Sequence, residues 1–330
     1  MIRFFNVNNP SVIVFLFLYA ALLNGVAFIF PHLLFSVAEV HEPFSKLFFQ
    51  LTRFLFGNNY YALSVLAFLL IFAQALLLNS LINNIKLFPF GTYVPAMVYV
   101  LMASLFREFL FLTPALLANT FIILVLGKAV KFYRQHQCTA DIFDMGMLIG
   151  AASLFYKPAL LLLVLLFVAL AVMRSFNWRE WAIGISGFLV IYFLTGTWYF
   201  VTGDWKDFIQ NSFFSNRAIG MEFHASLSLY IVGISTLALA VSGSGMFLFN
   251  FLKSAIHIRK FLALLAWTSF LLALSGLLNT GLGLGGFVVL SVPLSIVIGY
   301  LFMNIRRVRI ANALHLIWLI AVLFFQYYGQ

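Results

Sequence analysis

Residues 142–173 read IFDMGMLIGAASLFYKPALLLLVLLFVALAVM, an apolar stretch interrupted only by Asp144 near its start and by Lys157-Pro158 at its middle. As one continuous helix it would be about 48 Å long at ~1.5 Å per residue. A bilayer core is about 30 Å thick. A single helix would also bury Lys157 in lipid and reverse the side of every later loop. Two short helices joined at Tyr156-Lys157-Pro158 avoid both problems, so the stretch reads as a hairpin with Lys157 at its surface turn.

The rest of the chain follows the same pattern. Of 330 residues, 64% are hydrophobic and 8% charged, whereas soluble domains run at about 45–50% and about 25%. A water-soluble globular enzyme is excluded. Cys138 is the only cysteine, which excludes a disulfide scaffold within the chain. The net charge of +10 would need a clustered basic face to indicate nucleic acid. With this composition the basic residues point to membrane lipid, and no nucleic-acid partner is expected.

Eleven apolar runs stand out, at 11–31, 59–82, 92–106, 113–133, 142–156, 158–173, 181–203, 226–252, 261–279, 283–304 and 311–328. The expected fold is an all-α polytopic helical bundle of about eleven transmembrane helices, a single transmembrane domain over 1–330. The runs 92–106 and 142–156 are the shortest, and each reads as a tilted helix, a re-entrant segment or a helix packed inside the bundle. The first run lacks a small-residue cleavage site and reads as a retained helix rather than a leader.

Lys and Arg concentrate in cytoplasmic loops, which orients the bundle. With the N-terminus inside, thirteen of the nineteen basic residues fall inside, among them Lys86, Lys128, Lys131, Lys260 and the Arg306-Arg307-Arg309 group. Lys46, Arg53, Arg107, Lys157, Lys206 and Arg217 fall outside, and six of the nine carboxylates join them there. The C-terminus is then on the outer side.

The two longest connections, 32–58 and 204–225, are both outer. In the first, Phe44, Leu47, Phe48, Leu51 and Phe54 recur at helical spacing opposite Ser45, Lys46, Gln50 and Arg53, after Pro43 at a first-turn position. This is an amphipathic helix lying in the interface, or a cap packed on the bundle.

The densest polar cluster is Glu39-Val-His41-Glu42-Pro43. Glu39 and Glu42 are the candidate catalytic residues, because a carboxylate there suits a general base or could hold a divalent cation on a phosphate. A solvated connector is the plain alternative. Arg107, Lys157 and Arg217 are the candidate phosphate contacts, against readings as interface anchors or a snorkelling lysine. The 204–225 loop, with Asp204, Trp205, Lys206, Asp207, Glu222 and His224, suits a pocket lid or an aromatic belt. Asp144 is an intramembrane candidate or a helix-start cap beside Asp141.

The six histidines split evenly between the faces, so a four-histidine iron site cannot assemble. The Gly281–Gly286 run lacks the strand and Lys-Ser/Thr of a nucleotide loop. Gly146, Gly150, Gly243 and Gly245 read as sites of close helix packing. Few polar residues, chiefly Gln74, Asn79 and Asn119, fall at mid-membrane, and no duplicated halves appear.

The segment Leu112-Thr113-Pro114-Ala115-Leu116-Leu117-Ala118-Asn119, a long helix, a basic turn and then Gly146 to Lys157-Pro158 resembles the central region of GT-C glycosyltransferases. The acidic first outer loop followed by an interfacial helix comes in the same order. More narrowly, Arg3-Phe4-Phe5 with Asn8-Asn9-Pro10, Gln74-Ala75 with Asn79, Ile142-Phe143-Asp144 with Gly146, and Phe176-Asn177-Trp178-Arg179-Glu180-Trp181 resemble a family of uncharacterised Bacteroidetes multi-pass proteins, a domain of unknown function. The resemblance implies an inner-membrane protein that uses a polyprenyl-phosphate sugar on the periplasmic side. Glu39 or Glu42 would serve as base or metal partner, and Arg107 and Lys157 would contact the carrier phosphate. The chain departs from GT-C enzymes in having glutamates where an aspartate is usual and in lacking an external domain. The alternative is a non-catalytic scaffold or a lipid or solute transporter of the cell envelope.

Overall fold

The computed structural model describes residues 2–6, 9–29, 42–57, 59–133, 138–214, 227–278 and 283–328. Every regular element among them is helical. The α-helices are α1 Ile2–Phe5, α2 Ser11–Leu23, α3 Gly25–Ile29, α4 Pro43–Phe56, α5 Tyr60–Ile85, α6 Val94–Ala103, α7 Pro114–Lys131 and α8 Thr139–Phe155. There follow α9 Leu162–Met173, α10 Trp178–Val201, α11 Trp205–Ile209, α12 Leu227–Asn250, α13 Ile256–Leu277, α14 Ser291–Asn304 and α15 Val308–Tyr328.

Local chemistry sets many of the boundaries. Asn59 caps α5 by accepting from the backbone N–H of Tyr61 and Ala62, and Thr113 caps α7 ahead of Pro114. Asn177 does the same for α10. Each satisfies an amide that the first turn leaves without a helical partner.

Seven helices are long and apolar enough to cross a membrane: Tyr60–Ile85, Pro114–Lys131, Trp178–Val201, Tyr230–Asn250, Ile256–Leu277, Gly283–Asn304 and Val308–Tyr327. The protein is therefore a helical membrane protein. These seven correspond to seven of the eleven apolar runs. The other four are shorter helices. The run 11–31 is broken at Asn24 into α2 and α3, and 92–106 contracts to α6, ten residues long. Residues 142–173 form α8 and then a helix over Lys157–Met173.

Every residue of α6 is buried. At about 1.5 Å per residue it is roughly 15 Å long, an inner post against which α14, α5 and α2 pack. A helix apolar on all sides belongs inside a bundle or a membrane, and α6 takes the first place.

The elements alternate between two ends of the bundle. At the Lys157 end lie α4, the starts of α5 and α7, the ends of α8 and α10, and the 3₁₀ turn Arg107–Leu110. At the Lys128 end lie the end of α5, the end of α7, the start of α8 and the start of α13.

Lipid is as apolar as leucine, so burial alone does not hold such helices together. Two other devices do. First, α8 and α10 meet through glycine: a Cβ on Gly146 would stand 2.1 Å from the Gly184 carbonyl oxygen, and one on Gly187 would stand 2.2 Å from that of Phe143. Gly243 on α12 likewise faces the Val297 carbonyl, at 2.8 Å from such a Cβ.

The second device is polar. Gln74 donates to the Leu116 carbonyl and to Thr120 Oγ1, both at 2.8 Å, and accepts from the Tyr99 hydroxyl at 2.7 Å. Asn119 donates to the Val288 carbonyl at 3.1 Å and to Ser291 Oγ at 3.2 Å. The network joins α5, α6, α7 and the segment leading into α14. Asn79 is also buried.

Candidate functional site

Glu42 is the N-cap residue of α4, held extended at φ −63° and ψ 135° ahead of Pro43. Three contacts seat α4 on the end of α8 and α10. Ser45 Oγ donates to the Phe155 carbonyl at 2.7 Å. The Phe44 ring meets Phe155 edge-on at 5.5 Å, and the Tyr199 hydroxyl donates to the Pro43 carbonyl at 3.4 Å. Leu47, Leu51, Phe54 and Leu55 remain exposed, Phe54 at 85%. The helix is both a cap and an apolar face turned outward.

Directly below, α8 ends at Tyr156, whose backbone is extended. The Tyr156 ring is buried, and its hydroxyl donates to the carbonyls of Ser275 at 3.2 Å and Gly286 at 3.5 Å. This fixes the hairpin turn against α13 and the 3₁₀ segment Gly283–Leu290. In the described part of the glycine-rich run, Gly286 thus serves packing, its carbonyl an acceptor for Tyr156.

Lys157 opens the 3₁₀ turn Lys157–Leu161 and is half-buried. Burial holds its ammonium below the ordinary lysine value, and the negative charge of Glu42 pulls it partly back up. Because Ser45 bonds to the Phe155 carbonyl, two of the expected site residues, 115 positions apart in the chain (157 − 42), lie at the same corner. A carboxylate and an ammonium at one end of the bundle supply a proton acceptor and a charge that can meet an anion.

Arg107 lies at the same end but is turned to the last helix, where its Nε donates to the Gln326 carbonyl at 2.6 Å. Gln326 Nε2 in turn donates to the Ser104 carbonyl. The geometry gives Arg107 an anchoring contact for α15. Glu39 and Arg217 lie outside the described residues, as do His41 and 215–226 of the second loop. The described part of that loop packs α11 on the end of α10, with the Trp205 and Phe208 rings against Gly196. Among the described residues no three His, Cys, Asp or Glu side chains come together as a metal site.

A second cluster occupies the Lys128 end. Lys128 Nζ donates to Asp141 Oδ1 and to Asp144 Oδ2, each at 2.7 Å, and Lys131 stands 3.8 Å from Asp141. Asp144 is thus an ion-pair partner that binds α8 to α7. Beside it is a cavity of about 670 Å³ between α5, α7, α8 and the start of α13. Neither Lys128 nor the cavity stood out in the sequence. The available signal was the spacing of Asp141 and Asp144, which places both on one helix face, after a helix ending in Lys128 and Lys131.

No family model, curated protein or solved structure matches the chain.

Proposed function

We propose that the chain is a bacterial inner-membrane protein of GT-C-like architecture, with its N-terminus cytoplasmic and its C-terminus periplasmic. The Lys128 end, with Lys86, Lys131, Lys260 and Arg306 to Arg309, is the cytoplasmic side on the positive-inside rule. The eleven apolar runs are then eleven crossings, of which α2–α3, α6, α8 and 158–173 are the short ones, with Lys157 at the turn ahead of the last.

On this reading the Glu42–Lys157 corner is periplasmic and handles a polyprenyl-phosphate sugar. An acceptor hydroxyl attacks the anomeric carbon of the sugar, and the bond from that carbon to the phosphate oxygen breaks. The hydroxyl proton goes to the Glu42 carboxylate, and polyprenyl phosphate leaves against the Lys157 ammonium. From the sequence, Glu39 remains a candidate for the base and Arg217 for a phosphate contact. Any divalent cation would sit between a glutamate of the first loop and the phosphate. The exposed apolar face of α4 gives a lipid carrier a surface to follow into the corner.

The observation that carries the proposal is the seating of α4 on the end of α8 through Ser45 and the Phe155 carbonyl, which brings its N-cap Glu42 to the end of the bundle where the Lys157 turn lies. The resemblance of 112–161 to GT-C enzymes supplies the reaction class. Alanine at both Glu39 and Glu42 is expected to abolish sugar transfer while the protein stays inserted. Unchanged glycan profiles with the double variant present in the membrane overturn the proposal.

Two observations favour the non-catalytic reading as a scaffold or a lipid or solute transporter: the cavity of about 670 Å³ lies at the other end, and Arg107 is committed to α15. Comparing lipid-linked sugars in a deletion strain and its complemented parent separates the two. A shift in those sugars supports transfer, and no shift supports the scaffold or transporter.

A further inference from the structure

The cavity at the Lys128 end extends along helices rather than across them. On α5 its lining runs from Leu77 to Ile85 and on α7 from Ile123 to Lys131, with Tyr133 just beyond that helix. At ~1.5 Å per residue each is a slot of about 12 Å, less than half of a ~30 Å hydrocarbon core. Its volume of about 670 Å³ lies within the ~300–1,000 Å³ of small-molecule sites.

The walls are Leu81, Ile123, Leu124 and Met147. Empty, such a space leaves every wall without contact partners, and water finds few hydrogen-bonding partners on those side chains. A hydrocarbon chain fills it at no such cost.

The mouth carries both signs of charge. Asp144 is 47% exposed despite its bond to Lys128, and Lys131 is 53% exposed with only a distant contact to Asp141. His257 completes the rim and lies over Tyr133. A purely anionic headgroup would face Asp144, and a purely cationic one would face Lys131. A headgroup with an ammonium next to a phosphate matches both.

We infer that this cavity is a binding site for a zwitterionic phospholipid bearing a primary ammonium, one acyl chain in the slot, the phosphate toward Lys131 and His257, and the ammonium toward Asp144. The inference concerns the end opposite Glu42 and Lys157 and holds whether or not sugar is transferred there.

Native mass spectrometry of the full chain in detergent tests it, with phosphatidylethanolamine and phosphatidylglycerol added in parallel. The wild type is expected to retain one phosphatidylethanolamine in preference to phosphatidylglycerol. Leu124→Trp and Met147→Trp fill the slot from facing helices, and each is expected to lower that occupancy about tenfold. Lys131→Gln, on the exposed rim where folding is not at stake, is expected to lower it about threefold. Lys253→Gln, near the same end but outside the lining, is expected to change nothing. Equal retention of the two lipids by the wild type overturns the inference. So does unchanged occupancy in Lys131→Gln or in a slot-filling variant that elutes as a single species.

Discussion

Two glycines two residues apart on one helix are expected to respond to alanine with opposite signs. On α12 a Cβ at Gly243 would come within 2.8 Å of the Val297 carbonyl oxygen, while one at Gly245 meets nothing within 4 Å. Ordinary contact begins near 3.4 Å, so Gly243→Ala must push α12 from α14 by several tenths of an ångström. On α8 and α10 the deficit is larger. At Gly146 the oxygen lies 2.1 Å away and at Gly187 2.2 Å, in each case an atom of the neighbouring helix backbone that no rotamer change can move. Overpacking of this kind costs about 1–3 kcal/mol, and a backbone obstacle places these two at the upper end. Alanine returns about 0.5–1 kcal/mol through its better helix propensity. The net expectation is a loss of about 2 kcal/mol for Gly146→Ala and Gly187→Ala and of about 1 for Gly243→Ala. Gly233→Ala and Gly245→Ala, in open space, should gain about 0.5. Equilibrium unfolding in mixed micelles with a rising dodecyl sulfate fraction reads all five. If Gly146→Ala is as stable as the wild type, or Gly245→Ala falls with Gly243→Ala, the helix contacts described here are wrong.

Lys157 should lose its proton at a lower pH than the chain's exposed lysines, because burial disfavours its charged form, and Glu42→Gln should lower that pH further by removing the charge that opposes the shift. Carbon-13 reductive methylation followed by NMR titration measures both; an ordinary lysine midpoint unmoved by Glu42→Gln separates the two residues. Lys128→Met leaves Asp141, 15% exposed, without its closest cation, a loss of about 1–3 kcal/mol, between the values for exposed and buried pairs. The same unfolding assay detects it, and a neutral result removes the ion pair as a clamp between α7 and α8. Gln74→Leu leaves the buried Tyr99 hydroxyl without its acceptor at a cost of about 1–3 kcal/mol. Adding Tyr99→Phe should cost less than the sum by about 1 kcal/mol, and strict additivity would deny the network.

The long apolar runs were legible because lipid demands an unbroken helix of a certain length. The Tyr156-Lys157-Pro158 turn was legible because a charge, a proline and a length limit coincide there, and the structure breaks α8 at Tyr156. The run of α6 stood out as one of the two shortest, but the choice between a tilted, a re-entrant and an inner helix was not legible. An all-apolar run looks the same whether lipid or protein surrounds it, and what makes α6 an inner post is tertiary: α14, α5 and α2 close around it. On α4 the periodicity was legible but the packing face was not. Ser45 and Thr52 point inward while Leu47, Leu51 and Phe54 point out. In water the reverse would hold. At a bilayer the outside is the apolar phase, so polarity ceases to mark the interior, and Ser45 is drawn in by the Phe155 carbonyl that needs a donor. For the site, Glu42 and Lys157 were each visible as single residues, but their placement at one end of the bundle depends on how α4 seats on α8.

The same reasoning explains why the cavity is where it is. Close approach between these helices occurs where glycine removes the side chain or where polar groups bond across the gap. On α8, Gly146 and Gly150 face α10, whereas Asp144, Met147 and Leu148 line the cavity. One side of α8 is thus fixed by backbone contact. The other meets α7 near the cavity mouth through the Lys128 ion pairs. Between that pair and the Gln74–Asn119 network, which joins α5 to α7 further along, the walls at Leu81, Ile123 and Leu124 have no cross-helix polar bond. The two clamps hold α7 on either side of this apolar stretch, and their bonds resist its closure. An occupant of the slot then has to match its length and the charges at its mouth.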